Sequence, residues 1–285
     1  MTDVPVYPLR FARLVKIEHT VFALPFAYVG AFLAVSGVPS AHDLVWITVA
    51  MVGARSLAMA LNRLIDAEVD ARNPRTAGRE IPAGVLSRFA VAGFCLVSLA
   101  VFLVAAWQLD PLVRWLWPIP VVAFVVYPYL KRFTWLCHLW LGACDGLAPV
   151  GAWVAIRGDL DWQAWALGAA VTFWVAGFDC FYALFDVEVD RRERLHSIAT
   201  RFGVGGAFAG ARVMHLLTVV ALVAAGLGLS VGALYWLGVG AVAVLLGYEH
   251  AIVRPHDLRR LDAAFFTMNG VISVAFFALV LLDAL

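Results

Sequence analysis

The chain has 285 residues, of which 63% are apolar and only 14% charged, with a mean hydropathy of +0.87. That composition excludes a soluble domain and points to a membrane protein, whose length is better divided by the roughly 20 apolar residues each crossing needs. A net charge of +1 leaves no footprint for nucleic acid.

The first 18 residues carry Asp3, Arg10, Arg13, Lys16 and Glu18, and the apolar run after them continues without a small-residue cleavage site, so no cleaved signal peptide is expected. Nine transmembrane helices are expected, near 19–36, 44–64, 88–109, 113–130, 135–157, 161–185, 211–230, 232–252 and 262–283. Breaks such as SGVPSAHD, QLDP, RGDLD and SVG are short, whereas 65–87 and 186–210 read as long charged loops. Cys95, Cys137, Cys144 and Cys180 stand in apolar surroundings without metal-like spacing and read as small core residues.

Basic residues are distributed unevenly along this pattern. With the N-terminus inside, 18 of the 21 fall on one side, only Arg114 and Arg157 on the other, and Arg55 within a span. The positive-inside rule therefore makes the N-terminus and both long loops cytoplasmic, and nine spans put the C-terminus outside.

The acids are not explained by that rule. NRLIDAEVDAR and YALFDVEVDRR repeat one pattern: Asn62, Asp66, Glu68, Asp70 and Arg72 correspond to Tyr182, Asp186, Glu188, Asp190 and Arg192, each displaced by 120 residues. The constant offset suggests two related halves, about 10–130 and 131–250, within one domain and with the ninth span appended. Steps of four stack side chains on one helix face with about 6 Å of rise, so each motif presents a column of oxygen ligands at the end of a span. Arg55 lies seven residues before Asn62 and Asp179 seven before Asp186, deeper on the same faces. An ionisable group at that depth costs roughly 2.5–3.5 kcal/mol and usually faces a polar cavity, so the two columns imply one cavity.

Hard oxygen ligands without His or Cys partners suit Mg²⁺ held by Asn62, Asp66 and Asp70 on one side and Asp186 and Asp190 on the other. Arg72, Arg75 and Arg79 surround the first column, and Arg191, Arg192, Arg194, His196 and Arg201 the second, offering phosphate donors. Acids for metal interleaved with bases for phosphate fit a diphosphate, and the apolar helices behind them fit a polyprenyl tail. Glu68 and Glu188 lie two residues off the columns, as ligands or as a solvated face. Arg191, Arg192 and Arg194 read as lipid-surface charges, and Tyr182 as either a diphosphate donor or an interfacial aromatic. Arg55 either pairs with an acceptor carboxylate or bonds Asp179. His19, His138 and Asp145 either line the pocket of the second substrate or, the better reading, are satisfied polar core groups.

NRLIDAEVDARNPRTAGREIPAG resembles the first signature of the UbiA-type intramembrane prenyltransferases, N-D-x-x-D-x-x-x-D followed by R-T-x-x-R-P-L-P-x-G. YALFDVEVD with LHSIATRFG is similar to their second signature, and YPYLKR, with Lys131 and Arg132, to their Y-[PS]-x-x-K-R. The resemblance covers nearly the whole chain and includes the nine-span count. Departures are Arg63 where many relatives have Asp, Glu80 in place of a common Pro, and His196 where some have Lys. It is nearest to the 4-hydroxybenzoate polyprenyltransferase-like subgroup, which includes enzymes that prenylate 1,4-dihydroxy-6-naphthoate in the futalosine route to menaquinone.

The resemblance implies Mg²⁺-dependent transfer of a polyprenyl group to such an aromatic acceptor in ubiquinone or menaquinone biosynthesis, in a bacterial inner membrane with the site open to the cytoplasm. Asp66, Asp70, Asp186 and Asp190 would hold metal, with the first column the tighter, while Arg75, Arg79, Lys131, Arg132, Tyr182 and His196 meet the substrate and Arg55 the acceptor. A secondary transporter is a weaker alternative, because its acids belong at mid-membrane on interrupted helices. A CDP-alcohol phosphotransferase lacks its counterpart motif here, since CDGLAPVG has no Arg in the required place. Haem binding lacks facing histidine pairs, although a haem- or chlorophyll-type branch of the same prenyltransferase family stays open.

Overall fold

In hydrocarbon a backbone must satisfy its own N–H and C=O groups, and a chain this apolar does so by coiling into helices. The computed structural model describes residues 7–15, 20–253 and 268–285, which form helices and connecting turns with no strand among the described residues. In chain order the helices are α1 Tyr7–Leu14, α2 Thr20–Val35, α3 Ala41–Ile65, α4 Ala67–Arg72, α5 Arg88–Gln108, α6 Val113–Leu116 and α7 Pro118–Leu130. They continue with α8 Cys137–Arg157, α9 Trp162–Tyr182, α10 Val187–Arg192, α11 Ile198–Leu227, α12 Ala233–Ile252 and α13 Asn269–Ala284.

Among the described residues seven segments are long and apolar enough to cross a membrane: α3, α5, 113–130, α8, α9 with its 3-10 extension Ala183–Phe185, α11 and α12. The first and last expected spans are shorter apolar helices, 23–35 within α2 and α13. The start of the ninth expected span lies outside the described residues, as do Asp3, Lys16, Glu18, His19, Arg254, Arg259 and Arg260. Pro118 stands at the first position of α7 and separates it from α6, where a missing N–H costs nothing.

Part of the second long loop is helical. Helix α11 begins at Ile198, 13 residues before the expected start at 211, because Ser197 caps it: its hydroxyl accepts the Thr200 N–H at 3.0 Å while its own N–H donates to Thr200 Oγ1 at 2.8 Å. Gly203, at φ +71°, kinks the helix one turn later. Ser40 and Ser87 cap α3 and α5 in the same way, each accepting an N–H at 3.1 Å.

Helix α9 sits at the centre. Its most apolar window is 67% buried, against 11% for residues 113–130. One core packs Phe26 and Phe32 of α2, Trp153 of α8, Trp174 of α9, Leu222 of α11, Tyr235 of α12 and Phe276 of α13. Another gathers Leu14, Leu57, Val91, Cys95 and Phe124 around α3 and α5. Outward positions such as Phe89, Leu96, Leu216 and Val244 are exposed and apolar, as a lipid-facing surface requires. The cysteines are free, with Cys95, Cys137 and Cys180 buried, as expected of small core residues.

With lipid as apolar as leucine, helices associate through close van der Waals approach, which small residues permit. Gly142 and Gly146 of α8 meet α9 at the Thr172 carbonyl and at Gly168, so a Cβ on Gly142 would overlap backbone rather than a movable side chain. Gly142→Val is therefore expected to cost about 1–3 kcal/mol or more, read as a lower melting temperature in detergent, with a comparable change at Gly151, whose Cβ meets open space, nearly neutral.

Candidate active site at the cavity mouth

Both acidic motifs leave the regular helix at the same residue. Asp66 ends α3 and begins α4 at φ −89°, ψ 3°, and Asp186 follows the 3-10 turn and begins α10 at φ −109°, ψ 0°. These are bridge-region conformations, in which a break re-aims the next turn while keeping the chain compact. Each aspartate then starts a six-residue helix, and the Asp70 and Asp190 N–H groups bond back to Asp66 and Asp186 at 2.8 and 2.7 Å. The 120-residue repeat is thus a repeat of local structure at the motifs.

Of the four aspartates all but one are held by a base from outside their own short helix. Asp66, only 1% exposed, pairs with Lys131 at 2.8 Å, accepts from the Asn62 amide at 3.1 Å, and lies 3.5 Å from Arg132, which also donates to the Ile65 carbonyl at 3.2 Å. Asp70 receives Arg79 Nη1 on both oxygens at 2.7 Å. Asp186 receives Arg75 through both Nε, at 2.8 Å, and Nη2, together with the Asn73 amide at 2.8 Å. Arg75 also donates to the Tyr182 hydroxyl at 2.8 Å. The first loop therefore reaches across to grip the second motif, and Arg72 reinforces the crossing with an ion pair to Glu193 at 2.7 Å. The Asp190 carboxylate takes no hydrogen bond or ion pair among the described residues.

Electrostatics separates the two acids of the second motif. Burial alone would raise Asp186, but the bonds and charge of Arg75 and the Asn73 amide prevail and hold its carboxyl below the usual range. Burial, then the neighbouring Asp186 charge, push Asp190 up to about 6. Two carboxylates that repel one another, beside two more and the Asn62 oxygen, are a hard-oxygen donor set suited to Mg²⁺. Among the described residues no three His, Cys, Asp or Glu side chains already converge as a cation cage, and bases occupy three of the four aspartates.

Below this ring of charge lies a cavity of about 400 Å³, lined mainly by apolar side chains of α2, α3, α7, α8 and α9 and reached by Asn62, Arg79 and Tyr182. Four charged or polar groups sit deeper. Arg55 pairs with Asp145 at 3.6 Å, not with Asp179, and its Nε is buried without a hydrogen bond. Asp179 Oδ2 is 2.7 Å from His138 Nδ1, while His138 Nε2 accepts the Ile198 N–H at 3.1 Å. Because an amide N–H can only donate, Nε2 carries the lone pair, the imidazole is neutral, and Nδ1–H donates to Asp179. The tail of the second motif is thereby fastened through His138 to the cavity wall.

The sequence-predicted residues Asn62, Asp66, Asp70, Arg75, Arg79, Lys131, Arg132, Tyr182 and Asp186 are brought together, with Asp190 beside them and Arg55 deeper in the cavity. His196 contributes only backbone contacts, donating to the Lys131 carbonyl at 2.6 Å and accepting from Cys137; its ring is exposed. Glu68 lies on the solvated face, paired with Arg88 at 3.2 Å, and Glu188 is exposed. Sequence reasoning missed Asn73 and treated His138 and Asp179 separately. The Asn-Pro step was the available signal for Asn73, whose Oδ1 accepts the Arg75 N–H at 3.0 Å in an Asx turn that aims Arg75.

Comparison with known proteins gives a consistent pattern. Residues 23–277 match the UbiA prenyltransferase family. The 4-hydroxybenzoate octaprenyltransferase of Marinobacter nauticus is 31% identical over 278 residues, 95% of this chain and 93% of that one. The apo structure of a UbiA homologue from Aeropyrum pernix superposes with a TM-score of 0.86 at 32% identity, over 94% of this chain and 99% of the other. A UbiA homologue from Archaeoglobus fulgidus, bound to GPP and Mg²⁺, shares the fold with a TM-score of 0.73 at 19% identity, over 96% and 99% of the two chains.

Two outcomes follow from the charges. Asp66, Asp70, Asp186 and Asp190 against Arg75, Arg79, Lys131 and Arg132 is four against four, so Mn²⁺ or pyrophosphate alone is expected to bind weakly and each to strengthen the other about tenfold or more in calorimetry. Arg75→Gln should tighten Mn²⁺ alone while weakening pyrophosphate, a reversal of sign that general damage does not produce. For Asp190, whose carboxyl is raised, the contribution to stability is present below the ordinary value near 4 and lost as pH rises through about 6. Asp190→Asn should therefore raise the melting temperature of metal-free protein at pH 7.5, and the gain should vanish by pH 4.

Proposed function

The chain belongs to the UbiA prenyltransferase family, and on that premise we propose that it transfers a polyprenyl group from its diphosphate to a carboxylate-bearing aromatic ring with the help of Mg²⁺. The observation that carries this reading is the pairing of three carboxylates with four bases, with Asp190 as a fourth carboxylate beside them, at the mouth of an apolar cavity. The Marinobacter relative acts on 4-hydroxybenzoate by name, and the Archaeoglobus neighbour binds a prenyl diphosphate with Mg²⁺; both agree with such a site.

In this reading Asn62, Asp66, Asp70, Asp186 and Asp190 hold the metal, and Arg75, Arg79, Lys131 and Arg132, released from their carboxylates, turn to the diphosphate oxygens. Bound Mg²⁺ supplies Lewis-acid stabilisation of the leaving diphosphate. The bases add fixed positive charge where negative charge develops as the allylic C–O bond breaks. Tyr182, already bonded to Arg75, orients that guanidinium. The apolar wall shields the allylic cation from water until the ring attacks. Arg55, which lines the cavity and carries a buried Nε without a hydrogen bond, is the counter-ion for the acceptor's carboxylate.

The acceptor is 4-hydroxybenzoate or 1,4-dihydroxy-6-naphthoate, both of which bring a carboxylate to Arg55. The enzyme acts in quinone biosynthesis from a bacterial inner membrane, its charged mouth facing the cytoplasm with the other basic loops.

Purified protein given Mg²⁺, geranyl diphosphate and either acceptor is expected to yield a prenylated ring and pyrophosphate, seen by mass spectrometry. Asp66→Ala and Asp186→Ala should each lose at least about 100-fold in kcat, and chelation should abolish turnover reversibly. Full activity in chelator would sink the mechanism.

A further inference from the structure

The deeper pair of acids is not used by diphosphate chemistry, and the two differ in charge compensation. Asp145 is met by Arg55. Asp179 is met by a hydrogen bond from the His138 imidazole and by no arginine among the described residues, and its Oδ1 takes no hydrogen bond among them. It lines the cavity on α9, which leads through the 3-10 turn to Asp186. His138 fixes its orientation, and the Ile198 N–H fixes His138.

Depth gives the second half of the argument. Helices α3 and α9 both run toward the mouth and break at the equivalent residues Asp66 and Asp186. Arg55 lies eleven residues before Asp66 and Asp179 seven before Asp186, so Arg55 is four residues deeper, about 6 Å or one helical turn. A hydroxyl and a carboxylate placed para on one benzene ring stand a similar distance apart. With its carboxylate on Arg55, such a ring brings its hydroxyl to Asp179 and turns the carbon ortho to that hydroxyl toward the diphosphate end of the cavity.

We propose that Asp179 is the base for the acceptor's hydroxyl and, with Arg55, the gauge that selects a para-hydroxy aromatic acid, with His138 as its positioning residue. This rests on the prenylation reading above. The phenol proton passes to Asp179 Oδ1 as the ortho carbon forms its bond to the allylic carbon and the C–O bond to diphosphate breaks. The resulting dienone loses its ring hydrogen to the departing pyrophosphate, and the oxygen recovers the proton from Asp179, so the product is a phenol and the carboxylate is restored.

The experiment uses the purified full chain with Mg²⁺, geranyl diphosphate and two acceptors, 4-hydroxybenzoate and 3-fluoro-4-hydroxybenzoate, whose hydroxyl is already far more acidic. Wild-type protein that prenylates neither ring overturns the hydroxybenzoate reading and this assignment with it. Where wild type turns over, Asp179→Asn is expected to lose about 100-fold in kcat on 4-hydroxybenzoate and about tenfold less than that on the fluorinated ring. Binding of the unreactive thio analogue of geranyl diphosphate with Mg²⁺ should be unchanged. An equal loss on both acceptors, or no loss, overturns the assignment.

If Asp179→Asn also loses the analogue, it has failed to fold, and wild type decides with 4-methoxybenzoate, which keeps ring and carboxylate but has no proton to give. It should bind at least about tenfold more weakly than 4-hydroxybenzoate and not be prenylated; prenylation at a comparable rate overturns the assignment.

Discussion

The contact on which the site most depends is the one between Arg75 and Asp186, because it joins two motifs 111 residues apart in the chain. A carboxylate at the end of a buried helix is expensive unless a cation or several donors meet it. Here the donors come from the opposite motif: Asn73 and Arg75 lie in the loop after α4, while Asp186 opens α10. The same logic holds Asp70 through Arg79 and Asp66 through Lys131 and Arg132. The bases suited to a diphosphate are thus also what lets the metal-binding acids exist without one, so the protein folds with its charges already assembled.

That arrangement is possible only because the helices beneath it come close. Gly142, Gly146 and Gly168 let α8 lie against α9, which carries His138 to Asp179 and the start of α11 to His138. The polar contacts are therefore set by apolar packing. The bridge-region breaks at Asp66 and Asp186 do the remaining work, turning each short helix so that its second acid stays beside the first instead of continuing along the span axis.

Much of this was legible in the sequence because membranes simplify the code: apolar runs mark helices, and an acid repeated at four-residue steps marks a face. The acids, the surrounding bases and the cavity behind them followed from those periods and from the resemblance they carried. What did not follow were partners chosen by tertiary packing. Arg55 was weighed against Asp179, yet it pairs with Asp145, because α3 packs against α8 in this region. His138 and Asp179 are 41 residues apart on adjacent helices, and no periodicity within either helix reports the other. The early start of α11 was hidden for a different reason: a capping box written S-I-A-T looks like loop composition until its reciprocal bonds are seen.

The two halves of the site also differ in a way the repeat conceals. The first column was expected to be the stronger metal site because Asn62 adds an oxygen where the second has Tyr182. In the folded chain the Asn62 NH2 donates to Asp66 and leaves its oxygen to a metal, but both acids of that column are already compensated, Asp66 by two bases and Asp70 by one. In the second column, among the described residues, Asp186 has one base and Asp190 none within ion-pair distance. A cation approaching the mouth therefore meets its largest uncompensated charge at Asp190, while the bases that guard the other three acids must move before those can serve. Since those bases move toward a diphosphate, the asymmetry links the arrival of metal to the arrival of substrate through charge balance alone.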